Sequence, residues 1–122
     1  MIFDMELTSL QADIIDSHLT PHARNALAIQ VHDMVGSTND IVRDLHESGS
    51  CHGAAIFAEA QTAGRGRRGR AWHSPSGGNL YCSVGWHFNC SLDALSGLSL
   101  MVGAMLAKAI GQSCGVEVQL KW

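Results

Sequence analysis

An α/β or α+β domain with a mixed central sheet flanked by helices is the fold class this sequence predicts. Its apolar segments fall in the order helix, strand, helix, strand, loop, strand, helix, strand, which is the pattern of a sheet covered by helices. Residues Leu80, Cys82, Val84, Trp86 and Phe88 alternate with Tyr81, Ser83, Gly85 and His87, the period of a strand with one apolar face. Leu95, Leu98, Met101, Val102, Met105, Leu106 and Ile110 recur at helical spacing instead. With 122 residues, 46% of them hydrophobic and 16% charged, the chain suits one folded domain and excludes disordered, collagen-like and supercharged classes.

Along the chain, Leu7, Leu10 and Ile14 follow Thr8 with a helical period, and Gln11 three residues after Thr8 fits a capping box. Thr20-Pro21 pairs an N-cap residue with proline at the first helical position, opening a second short helix through Arg24 to Leu27. Residues 1–28 therefore read as a short helical segment, and 29–122 as the main domain. Ile29, Val31, Met34 and Val35 form a strand that stops at Gly36-Ser37-Thr38-Asn39-Asp40, where small polar side chains cap a helix carrying Ile41, Val42 and Leu45 up to Gly49. Ala54 to Ala60 is a nearly continuous apolar run suited to a buried strand. Residues 61–78 hold five glycines and no periodicity, so they form a long loop, a length that in a small domain points to function. Gly111 or Gly115 closes the long helix. Val116, Val118, Leu120 and Trp122 then alternate as a last strand, and ending there reads as the front part of a longer, C-terminally truncated domain. Trp86 and Phe88 are expected in the core.

The net charge of −3 hides an asymmetry. Positions 1–59 hold nine acids and two bases, whereas positions 60–122 hold two acids and six bases, four of them Arg65, Arg67, Arg68 and Arg70. The balance argues against a nucleic-acid coat or a membrane-surface protein. Cys51, Cys82, Cys90 and Cys114 form no C-x-x-C pair or short Cys/His array, so free, mostly packed thiols are expected and no metal site. His18 and His22 are four residues apart, but Thr20-Pro21 between them breaks the helix. No targeting segment is evident, and no stretch reads as the roughly 20 apolar residues that span a bilayer. A reduced, cytoplasmic setting follows as the expectation.

The segment Gly64-Arg65-Gly66-Arg67-Arg68-Gly69 matches G-x-G-x-x-G after a strand. A dinucleotide-binding loop would lead straight into a helix, whereas Arg70-Ala71-Trp72-His73-Ser74-Pro75 has no helical stripe. Kinase signatures are also missing. Glycines let consecutive N–H groups converge on an anion, and each guanidinium offers a planar fork to phosphate or carboxylate, so the loop suits a site where an acid meets a triphosphate. Trp72 offers a flat face to a purine. The competing reading is an RG-rich segment that binds single-stranded nucleic acid.

Ser37-Thr38-Asn39, the run Glu59 to Arg70, Trp72, Ser74-Pro75, Gly78-Asn79-Leu80-Tyr81 and Lys121-Trp122 together resemble the catalytic domain of biotin protein ligases, from about residue 29 onward. The resemblance implies the fold shared with class II aminoacyl-tRNA synthetases. It also implies an ATP- and Mg2+-dependent enzyme that converts biotin to biotinyl-5'-AMP and passes biotin to a lysine of a biotin carboxyl carrier protein. Carried over by position, Ser37 and Thr38 would bind the ureido ring, with Asn39 beside them. Gln61 would help bind biotin, and Gly64, Arg65 and Gly66 would meet its carboxylate and the phosphate. Arg67 would hold the adenylate, with Arg68 and Arg70 near the nucleotide. Trp72 would pack on adenine, and Tyr81 and Ser83 would line the biotin pocket. Lys121 would join Arg65 and Arg67 as a catalytic position. The Pro-Asn-Asp that follows Lys-Trp in that family, and its C-terminal barrel, are not in this sequence, so low activity is expected of the chain alone. Residues 1–28 offer at most two short helices where repressor-type members carry a winged helix-turn-helix, so DNA binding is not expected, and a homodimer is left open. A lipoate-ligase-like acyltransferase and an RG-loop nucleic-acid-binding module remain the alternatives.

Overall fold

The computed structural model describes residues 9–121. Contacts divide the chain into two compact units, Met1–His87 and Phe88–Trp122.

In the first unit, α1 (Ala12–Ser17) starts later than the capping box predicts, with Gln11 at the N-cap and no side-chain cap bond. Thr8 and Leu7 lie outside the described residues. The second start is as expected: Thr20 accepts a 3.2 Å hydrogen bond from the Ala23 N–H, and Pro21 opens α2 (Pro21–Ala26). His18 and His22 thus belong to different helices. Arg24 reaches back from α2 to the Asp16 carboxylate at 2.9 Å, tying the two short helices together.

The sheet has three strands in the order β1 (Ala28–Val35), β2 (Ala54–Gln61), β3 (Tyr81–Val84). β1 runs parallel to β2, from Ala28↔Ala54 to Val35↔Gln61, and β3 runs antiparallel to β2, from Ala55↔Val84 to Ala58↔Tyr81. The sheet is therefore mixed, as predicted. The crossover between the parallel strands is α3 (Thr38–Glu47), which packs on β2 and β3. Ala54, Ala55, Ile56, Ala58 and Ala60 of β2 form the buried core, so the apolar run is indeed a central strand. Four of those five residues are alanine, and their small size leaves room for the helix.

Three expectations are corrected. β3 ends at Val84 rather than Phe88, because β2 begins at Ala54 and the ladder partner runs out there. Gly85 still donates to the Ala54 carbonyl at 2.8 Å, but beyond it the His87 N–H donates to His52 Nδ1 at 3.0 Å and the Trp86 ring lies 4.4 Å from the His52 ring. Trp86 and Phe88 are consequently exposed, at 43% and 40%, and are not core residues. The thiols are free but not packed: Cys82, Cys90 and Cys114 are exposed and Cys51 is half-buried.

The second unit holds a 3-10 turn, Leu92–Leu95, and α4 (Leu98–Cys114), which ends at Gly115 in the left-handed conformation, φ +65°. None of the residues of α4 is buried. The helical stretch Leu92–Cys114 is 23 residues long with mean hydropathy 1.6, enough by length and composition alone to cross a membrane. Asp93, Ser96 and Lys108 are among the polar residues that interrupt it, so the stretch is apolar on average but not unbroken. The last predicted strand does not form among the described residues. Residues 116–121 turn back along α4 instead, with a Leu120 methyl 3.6 Å from where a Cβ on Gly103 would lie. Trp122 is outside the described residues.

Candidate ligand-binding site

The site lies where the C-terminal end of β2, the start of α3, β3 and the glycine-arginine loop meet. Ser37 occupies the N-cap of α3 in extended conformation, yet its side chain makes no cap bond. Only 3% of it is exposed, and it lines a hollow of about 450 Å³. A serine at this place is more than a cap, since its hydroxyl is left for something other than the helix.

Thr38, Gln61, Ser74 and Ser83 form one directional chain of hydrogen bonds. Gln61 Oε1 accepts from the Thr38 backbone N–H at 2.9 Å and from the Thr38 hydroxyl at 3.3 Å. That fixes the amide, so Nε2 donates to Ser74 Oγ at 3.1 Å, and Ser74 Oγ donates to the Trp72 carbonyl at 3.2 Å. The Thr38 hydroxyl, having donated to Gln61, accepts from Ser83 Oγ at 2.8 Å. Each donor has one defined acceptor, and a chain satisfied in this way holds the wall of the hollow rigid. Gln61 is half-buried at the end of a strand, not a solvated loop residue.

The loop is a clasp. Arg65 bridges Ala71, the Trp72 N–H donates to the Gly64 carbonyl at 2.8 Å, and the Gly66 N–H donates to the Arg70 carbonyl at 2.7 Å. Its tip is a 3-10 turn, Arg67–Gly69, with Arg68 at φ +59° and Gly69 at φ +72°. A non-glycine residue held in the left-handed region carries strain, and such strain gathers where a backbone is shaped for a ligand. Gly64 stands behind the hollow, not on its surface. A Cβ there would come within 2.5 Å of Ser74 Oγ and 2.7 Å of the Trp72 carbonyl oxygen, so only glycine lets the clasp close on the hydrogen-bond chain.

The structure brings Ser37, Thr38, Asn39, Gln61, Arg65, Gly66, Arg67, Trp72, Tyr81 and Ser83 to this hollow, together with Leu80 and Cys82. The Tyr81 hydroxyl donates to the Pro75 carbonyl at 3.0 Å, fixing its ring across the loop. A second hollow, of about 570 Å³, is lined by Gly66, Arg67, Arg68, Arg70, Ala71 and Trp72. Gly66, Arg67 and Trp72 thus belong to both, between a neutral hydrogen-bonding side and an arginine-rich side. Lys121 belongs to the second unit and is exposed. Burial of the Cys82 thiol pushes its pKa up, even though the residue as a whole is exposed. Among the described residues no three His, Cys, Asp or Glu side chains gather to hold a metal ion.

Sequence reasoning assigned no role to Ser74 or Asp40. Ser74 orients Gln61, and its signal was its place before Pro75 in the loop. Asp40, in the first turn of α3, holds Arg65, which no local pattern could show because the two are 25 residues apart.

A model of the biotin/lipoate A/B protein ligase family matches residues 31–122. The chain belongs to that family. It is similar to the bifunctional ligase/repressor BirA of Salmonella typhimurium, 40% identical over 114 residues that cover 93% of this chain and 33% of that one. Among solved structures, the biotin protein ligase from Aquifex aeolicus in complex with biotin and ATP aligns with a TM-score of 0.61 and 33% identity, over 77% of this chain and 38% of that one. The biotin protein ligase from Leishmania major in complex with biotinyl-5-AMP aligns with a TM-score of 0.60 and 35% identity, over 69% and 34%. The chain therefore spans about a third of the length of these relatives. The mixed sheet with its helices is the fold of the family over the part matched.

Proposed function

We propose that the domain to which this chain contributes activates biotin with ATP and transfers it to a lysine of a biotin carboxyl carrier protein. One observation carries the reading: a hollow with one wall made of a neutral, directional hydrogen-bond chain and with Arg65 and Arg67 on its rim adjoins a second, arginine-lined hollow across a shared Gly66-Arg67-Trp72 edge. A ureido ring needs neutral donors and acceptors, and a carboxylate meeting a triphosphate needs cations.

In this reading Ser37, Thr38 and Gln61 face the ureido ring, with Asn39 at the rim and Tyr81 and Ser83 on the far wall. Arg65 receives the carboxylate, with Gly66 lining the hollow beside it and its N–H held by the Arg70 carbonyl. Arg67, Arg68 and Arg70 balance the phosphates, and Trp72, 61% exposed, offers its face to adenine. A carboxylate oxygen attacks the α-phosphorus and pyrophosphate leaves. The carrier lysine amine then attacks the acyl carbon and AMP leaves. Arginine charge at the α-phosphate stabilises the negative charge that builds there. Lys121 is given its part in this chemistry by family resemblance. The residues described offer no carboxylate cluster for Mg2+, and no step is assigned through it.

Calorimetry of biotin with the purified chain tests the reading. Saturable binding that is lost in Gln61→Ala and unaffected by single-stranded RNA supports it. Salt-sensitive RNA binding with no response to biotin overturns it in favour of the nucleic-acid alternative, and lipoate binding more tightly than biotin favours the lipoate branch of the family.

A further inference from the structure

The clasp fixes the backbone of Arg65, but an arginine side chain retains several rotatable bonds, and a free one loses much entropy when it captures a ligand. Here the side chain is not free. Arg65 Nη2 lies 2.9 Å from Asp40 Oδ2 and 2.9 Å from Asp40 Oδ1. Among the described residues, no other arginine of the loop makes an ion pair. Asp40 sits in the first turn of α3, where the helix N-terminus favours a carboxylate. Its side chain is three-quarters buried, and Oδ1 also meets Arg43 Nη2 at 3.2 Å.

We propose that Asp40 is the positioning residue for Arg65: it holds the guanidinium at the hollow so that a ligand carboxylate meets a preset cation. The proposal rests on the functional reading above. Only Nη2 is engaged by Asp40, so Nε and Nη1 remain to donate to an anion. A carboxylate beside an anion site would by itself repel the ligand. Arg43 decides the sign, because two arginines on one carboxylate leave the cluster with a net charge of +1. The incoming anion is still attracted, and the arginine is already placed. The pairing also gives "S-T-N-D" in this chain a second meaning: its first three residues line the hollow, and the fourth orients the loop opposite.

The experiment uses the full 122-residue chain and the variants Asp40→Asn, Asp40→Glu and Asp44→Asn, the last making the same charge change one turn along α3. Trypsin cleavage after Arg65, followed by mass spectrometry, is expected to rise about two- to fivefold in Asp40→Asn, the size of a partly exposed ion pair. It is expected to be unchanged in Asp44→Asn. Calorimetry is expected to show biotin bound about fivefold more weakly by Asp40→Asn while biotin methyl ester, which lacks the carboxylate, binds as before. Asp40→Glu recovers part of the loss, and in an Arg65→Gln background Asp40→Asn changes nothing further. Equal weakening of acid and ester, or tighter binding of the acid, overturns the proposal. If the unmodified chain binds no biotin, the functional reading fails, and the cleavage after Arg65 decides the positioning role alone: unchanged cleavage overturns it.

Discussion

β2 and α4 are both rich in apolar residues, and they meet opposite fates. Five of the eight residues of β2 are buried apolar side chains, whereas none of the 17 residues of α4 is buried. Hydrophobicity measures how much an element gains by burial; what surrounds it decides whether the gain is realised. β2 lies between two strands and under a helix, and its alanines let all three approach. α4 carries larger side chains, Leu100, Met101, Met105 and Leu106, and all of them are at least half exposed.

The largest expected effect tests this contrast directly. Ile56 is fully buried, so Ile56→Ala should cost about 2–5 kcal/mol. Leu106→Ala, at a residue 57% exposed, removes the same number of carbons from an open surface and should change stability by less than about 0.5 kcal/mol. Urea unfolding followed by tryptophan fluorescence measures both. A comparable loss in Leu106→Ala would show that α4 is covered in solution, and the comparison would break.

The same contrast explains what was legible in the sequence. Periodicity depends on a residue's near neighbours along the chain, so the starts of α2 and α3, the buried strand and the long loop could all be read. The length of β3 could not, because it is set by where β2 begins, some 30 residues earlier in the chain. Residues 116–121 alternate correctly for a strand but have no described ladder partner, and alternation without a partner is not a strand. In the site, the residue types at 37, 38, 61, 65 and 81 were legible from motif. That Ser74 orients Gln61, or that Asp40 holds Arg65, depends on contacts across the fold.

The next effects lie in the first unit, at the hydrogen-bond chain. Gln61→Ala leaves the Thr38 N–H and the Ser74 hydroxyl without their partner and should cost about 1–3 kcal/mol, with loss of biotin binding. Gln61→Glu keeps the acceptor for Thr38 but loses the donor to Ser74, so its cost should be smaller while its added charge still impairs binding. Gly64→Ala drives a Cβ against the Trp72 carbonyl and Ser74, and should cost about 1–3 kcal/mol through displacement of the clasp. Thermal unfolding and calorimetry together separate damage to the fold from damage to the site.

In the second unit the comparable glycine acts through conformation alone. Gly115 stands at φ +65° with open space around its Cβ position, so Gly115→Ala meets no clash and should cost about 1–2 kcal/mol of helix stability. Circular dichroism should show a small loss of helix, with biotin binding intact. A loss of binding in this variant would mean that the end of α4 takes part in the site.

Cys82 gives the smallest effect and the finest test of which surfaces are open. Its folded pKa lies above its ordinary value of 9.0 because burial disfavours the thiolate. Thiolate is the species that reacts with iodoacetamide, so Cys82 should label more slowly than the exposed Cys90 and Cys114 near pH 8, and its labelling profile should be displaced to higher pH. The sign for stability follows from the same shift. The folded state holds this proton more tightly than the unfolded chain does, so the contribution is fully present below pH 9.0 and is lost as pH rises through the higher folded value. If Cys82 labels as fast as Cys90, its thiol is as open as the surface of the second unit and the wall of the hollow is looser than its hydrogen bonds imply. If biotin slows the labelling of Cys82 further and leaves Cys90 unchanged, ligand and thiol share the hollow, and the packed region is the one that responds.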